Sequence, residues 1–227
     1  MNVFAAILFF ASLAPIDIIQ SAVELSHKSE IFRTRYGFTQ ETIERSGDKT
    51  TTKVYEISFD SGKQYRRLTH HNGKAVDERP EPYTRGDKNR QEILGELTKA
   101  FDYTFGPEET VNGYDCWQLI AKPKPGYDPP SLRMSFLKHM EGKVWIAKDY
   151  KRLVRMDAQT TGPVSFGWFL LKLAPGTRIY MEQARIDDDV WLLKRFKMIY
   201  DARVLFKNVK GQIETTSSNF HRTTPST

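Results

Sequence analysis

Residues 142–199 read GKVWIAKDYKRLVRMDAQTTGPVSFGWFLLKLAPGTRIYMEQARIDDDVWLLKRFKMI, and the fold is decided in this stretch. Every interruption in it is built from turn residues: Lys148-Asp149, Gly162-Pro163, Pro175-Gly176 and Asp187-Asp188-Asp189. Strands are therefore expected over Lys143 to Ala147, Arg152 to Thr161, Thr177 to Ile186 and Val190 to Tyr200. Side chains alternate across a strand, so Phe196, Met198 and Tyr200 share one face while Arg195 and Lys197 take the other. Ile179 and Met181 alternate in the same way with Tyr180 and Glu182. Val164 to Leu173 is the most apolar part. Its Phe166, Trp168, Phe169, Leu170 and Leu171 are too many bulky side chains for one face of one strand. That segment is either the deepest strand of the core or the edge of a mouth through which a ligand enters, and the reading leans to the mouth.

Upstream, Glu30 to Arg45 has few breakers and alternates, with Phe32, Tyr36 and Phe38 placed to share a face. Lys49 to Phe59 and Lys63 to His71 follow across Ser46-Gly47-Asp48 and Ser61-Gly62, which makes an antiparallel meander closed by Asn72-Gly73. Glu78 to Arg90 is charged or polar, and Lys88 to Phe101 spaces Ile93, Leu94, Leu97 and Phe101 as an amphipathic helix. Asn112-Gly113 predicts a hairpin between Phe101 to Val111 and Tyr114 to Lys122. Pro123, Pro125, Pro129 and Pro130 stiffen a loop, Leu132 to Met140 reads as a short helix, and a last strand pair lies around 203–206 and 212–220. The fold class is mainly β (α+β): a single strongly curved antiparallel sheet covered by one to three helices. Sheets this large close or are covered.

A chain of 227 residues, 39% hydrophobic, buries one core. Val3 to Ala14 is an apolar run of signal-peptide length, too short to span a bilayer. Residues 1–22 are read as a leader ending at Gln20-Ser21-Ala22, and 23–222 as one domain with a charged loop-helix insert at 78–101. A polar tail occupies 223–227. The alternative for the apolar run is a buried N-terminal strand or helix. Cys116 is the lone cysteine, so no intrachain disulfide forms, and it reads as a small apolar strand residue. The net charge of +6 suits anionic membrane surfaces or a solvated strand face, and no nucleic-acid motif accompanies it.

No catalytic motif is present: there is no Gly-x-Ser-x-Gly, His-Glu-x-x-His, phosphate loop or Cys-x-x-Cys. His70 and His71 are adjacent, so on a strand they point to opposite faces and cannot share a metal. The triplet Asp187 to Asp189 lacks the alternating acids of a calcium loop and reads as a turn. A non-enzymatic protein without cofactor or metal is expected. The candidate apolar lining is Trp145, Phe166, Trp168, Phe169, Met181, Trp191, Phe196 and Met198, chosen because adaptable Met and aromatic side chains suit a hydrophobic ligand.

Several patterns occur together between residues 109 and 222: Glu109-Thr110-Val111-Asn112-Gly113, Pro125-Gly126-Tyr127, Gly142-Lys143-Val144-Trp145-Ile146, Pro175-Gly176-Thr177-Arg178, Met181-Glu182-Gln183 and Val190-Trp191-Leu192. With the closing Glu214-Thr215-Thr216-Ser217-Ser218-Asn219-Phe220-His221-Arg222, this set resembles a secreted bacterial family related to the outer-membrane lipoprotein carriers (LolA/LolB-like). The resemblance implies an incomplete antiparallel β-barrel whose open side is closed by helices over an apolar cavity. It also implies handling of lipid or acyl chains in the bacterial envelope. The expected function is therefore a periplasmic binding or carrier protein, monomeric, for a lipid or an acylated protein, with contact to an anionic membrane surface. The alternative is a structural or sensory envelope domain that binds a protein partner through its apolar sheet.

Overall fold

Turn chemistry lays out the first strands. β1 (Tyr36–Ser46), β2 (Lys49–Asp60) and β3 (Lys63–His71) form the expected meander. The computed structural model describes residues 13–83, 87–166, 171–204 and 207–223, with backbone alone at 31, 87–90, 166, 171 and 204. Short β4 (Lys74–Ala75) and β5 (Glu81–Pro82) pair with β3. β6 (Phe101–Phe105) and β7 (Glu109–Val111) both pair with β8 (Tyr114–Pro123). Asn112 and Gly113 adopt φ of 52° and 83°, the pair of positive values that a tight two-residue hairpin requires.

β9 (Met140–Ala147), β10 (Arg152–Thr160), β13 (Arg178–Asp187), β14 (Val190–Val204) and β15 (Lys207–Arg222) complete the main path. Its order is β4-β3-β2-β1-β15-β14-β13-β10-β9-β8-β6, with antiparallel neighbours throughout. The two ends do not join, so the sheet is an incomplete barrel. Bulges in β3, β10, β13 and β14 and an irregularity between β1 and β15 increase its twist.

The apolar segment Val164 to Leu173 is not one strand. It contributes β11 (Val164–Phe166) and β12 (Leu171–Leu173), which pair with each other, and β12 pairs with the far end of β14. Splitting the segment into a hairpin divides its bulky side chains between two strands. Val164 and Leu173 are buried with Ala202 against Phe136 and Tyr200, so the roots of the hairpin are core.

Helices cover one face at the β6 end. α1 (Pro15–Lys28) opens with Pro at its first position and Asp17 accepting the Ala14 N–H at 3.2 Å; His27 and Lys28 in its last turn offset the helix dipole. Its Ile18, Ile19 and Ala22 pack with Leu119 of β8 and Ile146 of β9. Residues 15–22, read from sequence as the end of a leader, thus form the first turns of a core helix. α2 (Glu30–Arg33) corrects the expectation of a strand from Glu30 onward. The chain keeps its helical path past Ser29, and Phe32 lies partly exposed under the Arg35 guanidinium at 5.0 Å, apart from Tyr36 and Phe38 in the core beside Val190 and Leu192.

α3 (Asp87–Ala100) is the predicted amphipathic helix, and its Ile93 and Leu97 pack on Phe101, Ala121 and Ala158. The short helix at Leu132–His139 is a 3-10 helix that buries Met134 and Leu137 in the same cluster. Gly142 lies between Ala121 and Ala158, and a Cβ there would come within 2.5 Å of the Asp157 carbonyl. The Pro-rich loop is tied down where Tyr127 Oη donates to Glu96 of α3 at 2.8 Å.

A candidate hydrophobic-ligand site

Strand register arranges the helix-side face into two cross-strand rows. One runs Leu119, Val144, Met156, Met181, Phe196, Thr215 from β8 to β15. The other runs Ala121, Gly142, Ala158, Ile179, Met198, Ile213. Directly opposed residues share a face, so each row is one continuous surface.

Coverage changes along these rows. At the β8 end Leu119 is fully buried under α1, and Ala121 and Ala158 lie under α3 and the 3-10 helix. Met156 and Ile179 pack at the margin of that cluster. Beyond them Met181, Phe196, Met198 and Ile213 are half-buried and, among the described residues, belong to none of the buried core clusters. Three strands about 4.8 Å apart make this an apolar patch roughly 10 Å across. Its far border is polar: Thr215 meets Thr42 of β1 through hydroxyls 3.1 Å apart, and Ile213 faces Glu44.

The sequence-predicted lining divides between the faces. Met181, Phe196 and Met198 come together as the centre of the patch. Trp145 and Trp191 are on neither row: both are buried with Val111, Cys116, Ala147 and Val154 on the face opposite the helices. Trp191 stacks with Tyr114 and Tyr150, at centroid distances of 5.1 and 5.8 Å. Trp168 and Phe169 lie outside the described residues, as does the side chain of Phe166. Sequence reasoning left out Met156 and Ile213 as lining. Alternation in β10 and β15 contained the signal, but only the register shows that they complete the rows.

Cys116 is buried, and burial pushes its thiol up to about 11, away from a reactive thiolate. Among the described residues no group of three or more His, Cys, Asp and Glu could hold a metal ion, and no helix is long and apolar enough to cross a membrane. The patch can offer contact area and exclusion of water.

No family model matches the chain, and no curated protein matches it. Among solved structures it is similar to a domain described as outer-membrane lipoprotein-sorting from Vibrio parahaemolyticus, at 12% identity over 91% of this chain and 94% of that one, TM-score 0.44. It is similar to a LolA superfamily protein from Nitrosomonas europaea at 8% identity over 95% and 96%, TM-score 0.40. It is also similar to MucB in its complex with MucA, at 10% identity over 87% and 94%, TM-score 0.31. Likenesses this distant carry no part of the functional case, which rests on the two rows.

Proposed function

We propose that this is an envelope protein that binds an acyl chain or a similar hydrophobic ligand, free or attached to a protein, on the uncovered part of its helix-side face. The observation that carries the reading is the continuity of the rows. The surface that forms the core under the helices runs on, without a polar break, into half-buried Met181, Phe196, Met198 and Ile213. A ligand laid there extends the core. Met side chains adapt to a chain of any branching, so affinity comes from area rather than directed hydrogen bonds. About ten buried methylenes contribute roughly 8 kcal/mol at about 0.8 kcal/mol each, before the cost of ordering the ligand. The apolar leader-like run at residues 3–14 supports export to the periplasm, and the net charge of +6 favours approach to anionic membranes.

The test is titration with a fluorescent fatty acid. Phe196→Asp places a carboxylate in the middle of the patch and should weaken binding at least about tenfold, the equivalent of about 1.4 kcal/mol. Lys197→Asp, on the opposite face of the same strand, should leave binding intact. Equal affinity for both variants excludes the patch as the site. If instead a pulled-down protein partner is lost in Phe196→Asp while no fatty acid binds to the parent protein, the face is a protein-docking surface.

A further inference from the structure

The face opposite the helices carries a second feature that the hydrophobic-ligand reading does not use. A cavity of about 680 Å³ opens over β8, β9, β10 and the start of β13, with Gln118, Trp145 and Arg155 in its wall. The bulge at Val154 places Arg155 there: Leu153 pairs with Ile146 on the helix side, whereas Arg155 pairs with Trp145. Its guanidinium carbon then lies 4.5 Å from the Trp145 ring and 5.2 Å from the Tyr180 ring. Two rings hold the cation in place. Its nearest carboxylate, Asp157, is at 3.9 Å, too long for a hydrogen bond.

Besides Asp157, the cavity holds two acids, and both are already engaged by neutral donors. Glu109 accepts from Trp145 Nε1 and from Gln118 Nε2 at 2.9 Å, and Glu141 accepts from Gln159 at 2.8 Å. The other cations, Lys122, Lys143 and Arg178, make no ion pair among the described residues. Two buried polar atoms in the wall have no partner, Arg155 Nε and Gln118 Oε1, the latter on a side chain of a residue only 3% exposed. A guanidinium fixed between two rings, with no carboxylate of the described residues within hydrogen-bond reach and with neighbouring cations that make no ion pair, is an oxyanion receptor, since its planar fork matches two oxygens at once.

We infer that this cavity binds a small oxyanion ligand, of which inorganic phosphate is the simplest, with Arg155 as the central contact and Lys143 and Arg178 beside it. A lipid held by its acyl chain at the Phe196 patch cannot supply the anion, because patch and cavity lie on opposite faces of one sheet. The proposed ligand is a free small molecule.

The experiment follows the indole Nε1–H resonance of Trp145 in the full chain, assigned with Trp145→Phe, as phosphate replaces chloride at constant ionic strength. A saturable shift is expected. Arg155→Met, which keeps the stem over the indole, should weaken it at least about tenfold, with fatty-acid binding unchanged. Lys143→Gln and Arg178→Gln should each weaken it too, and they decide the matter if Arg155→Met does not fold. A shift that never saturates, or one equally strong in all three variants, overturns the inference. So does a shift produced by phosphatidylglycerol vesicles but not by inorganic phosphate, which would identify a membrane surface instead.

Discussion

Shortening the chain to begin at Val23, where the leader reading from sequence would place the mature start, removes most of α1 and with it Ile18, Ile19 and Ala22, which are 2%, 4% and 7% exposed. Fully burying an isoleucine is worth about 1.5 to 3 kcal/mol, so the two isoleucines alone represent roughly 3 to 6 kcal/mol. Their loss also exposes Leu119 and Ile146, now 0% and 2% accessible, to water. A domain is stable by about 5 to 15 kcal/mol in total. The 23–227 chain should therefore have lost most or all of its cooperative unfolding transition, whereas a 15–227 chain should keep it. Urea titration followed by tryptophan fluorescence distinguishes them. Equal midpoints and slopes for the two would show that α1 contributes nothing, and the packing described for it would be wrong. If export removes a leader, intact mass should place the new N-terminus at or before Pro15.

Two further perturbations test how the covering elements are held. Arg152 is buried, donates to Ser29 Oγ at 3.0 Å and to the Asp189 carbonyl at 3.3 Å, and is pushed down in pKa by its burial. Arg152→Ala should cost about 2 to 3 kcal/mol, from the lost packing and the buried Ser29 hydroxyl left without its donor; an unchanged urea midpoint would contradict the role of this side chain in tying the end of α1 to the sheet. Asp187 accepts from the Tyr36 hydroxyl, from Arg222 and from the Asp188 N–H, and these bonds, that of Tyr36 foremost, hold its carboxyl well below the usual range. A depressed folded value gives stability that is complete above the ordinary carboxylate pKa near about 4 and is lost as pH falls through the folded value. Asp187→Asn should lower the melting temperature at neutral pH and narrow the gap between neutral and acidic melts; parallel curves for the two proteins would refute the coupling.

The sheet was legible because its signals are local. Asn112-Gly113 with positive φ at both residues, and the alternation around Phe196 and Met198, are properties of neighbouring residues that packing did not override. Bulges were not legible. Unbroken alternation would put Leu153 and Arg155 on one face, but the extra residue Val154 sends Arg155 across to Trp145, and the phosphate-type cavity depends on that single insertion. Trp145 and Trp191 were grouped with Met181 because both sets are large and apolar, and hydrophobicity alone cannot say which face of a sheet with two buried sides a residue joins. The apolar run before Pro15 and the helix after it form one hydrophobic stretch in sequence, and only the contacts of Ile18 and Ile19 with Leu119 and Ile146 show where the core begins.

Native mass spectrometry of the exported protein, purified without detergent or denaturant, tests the central claim most directly. The account predicts a population carrying a hydrophobic adduct that organic solvent extracts, and loss of that adduct in Phe196→Asp while the fold persists. A ligand-free spectrum together with no saturable binding of added fatty acid, or an adduct retained unchanged in Phe196→Asp, would contradict it.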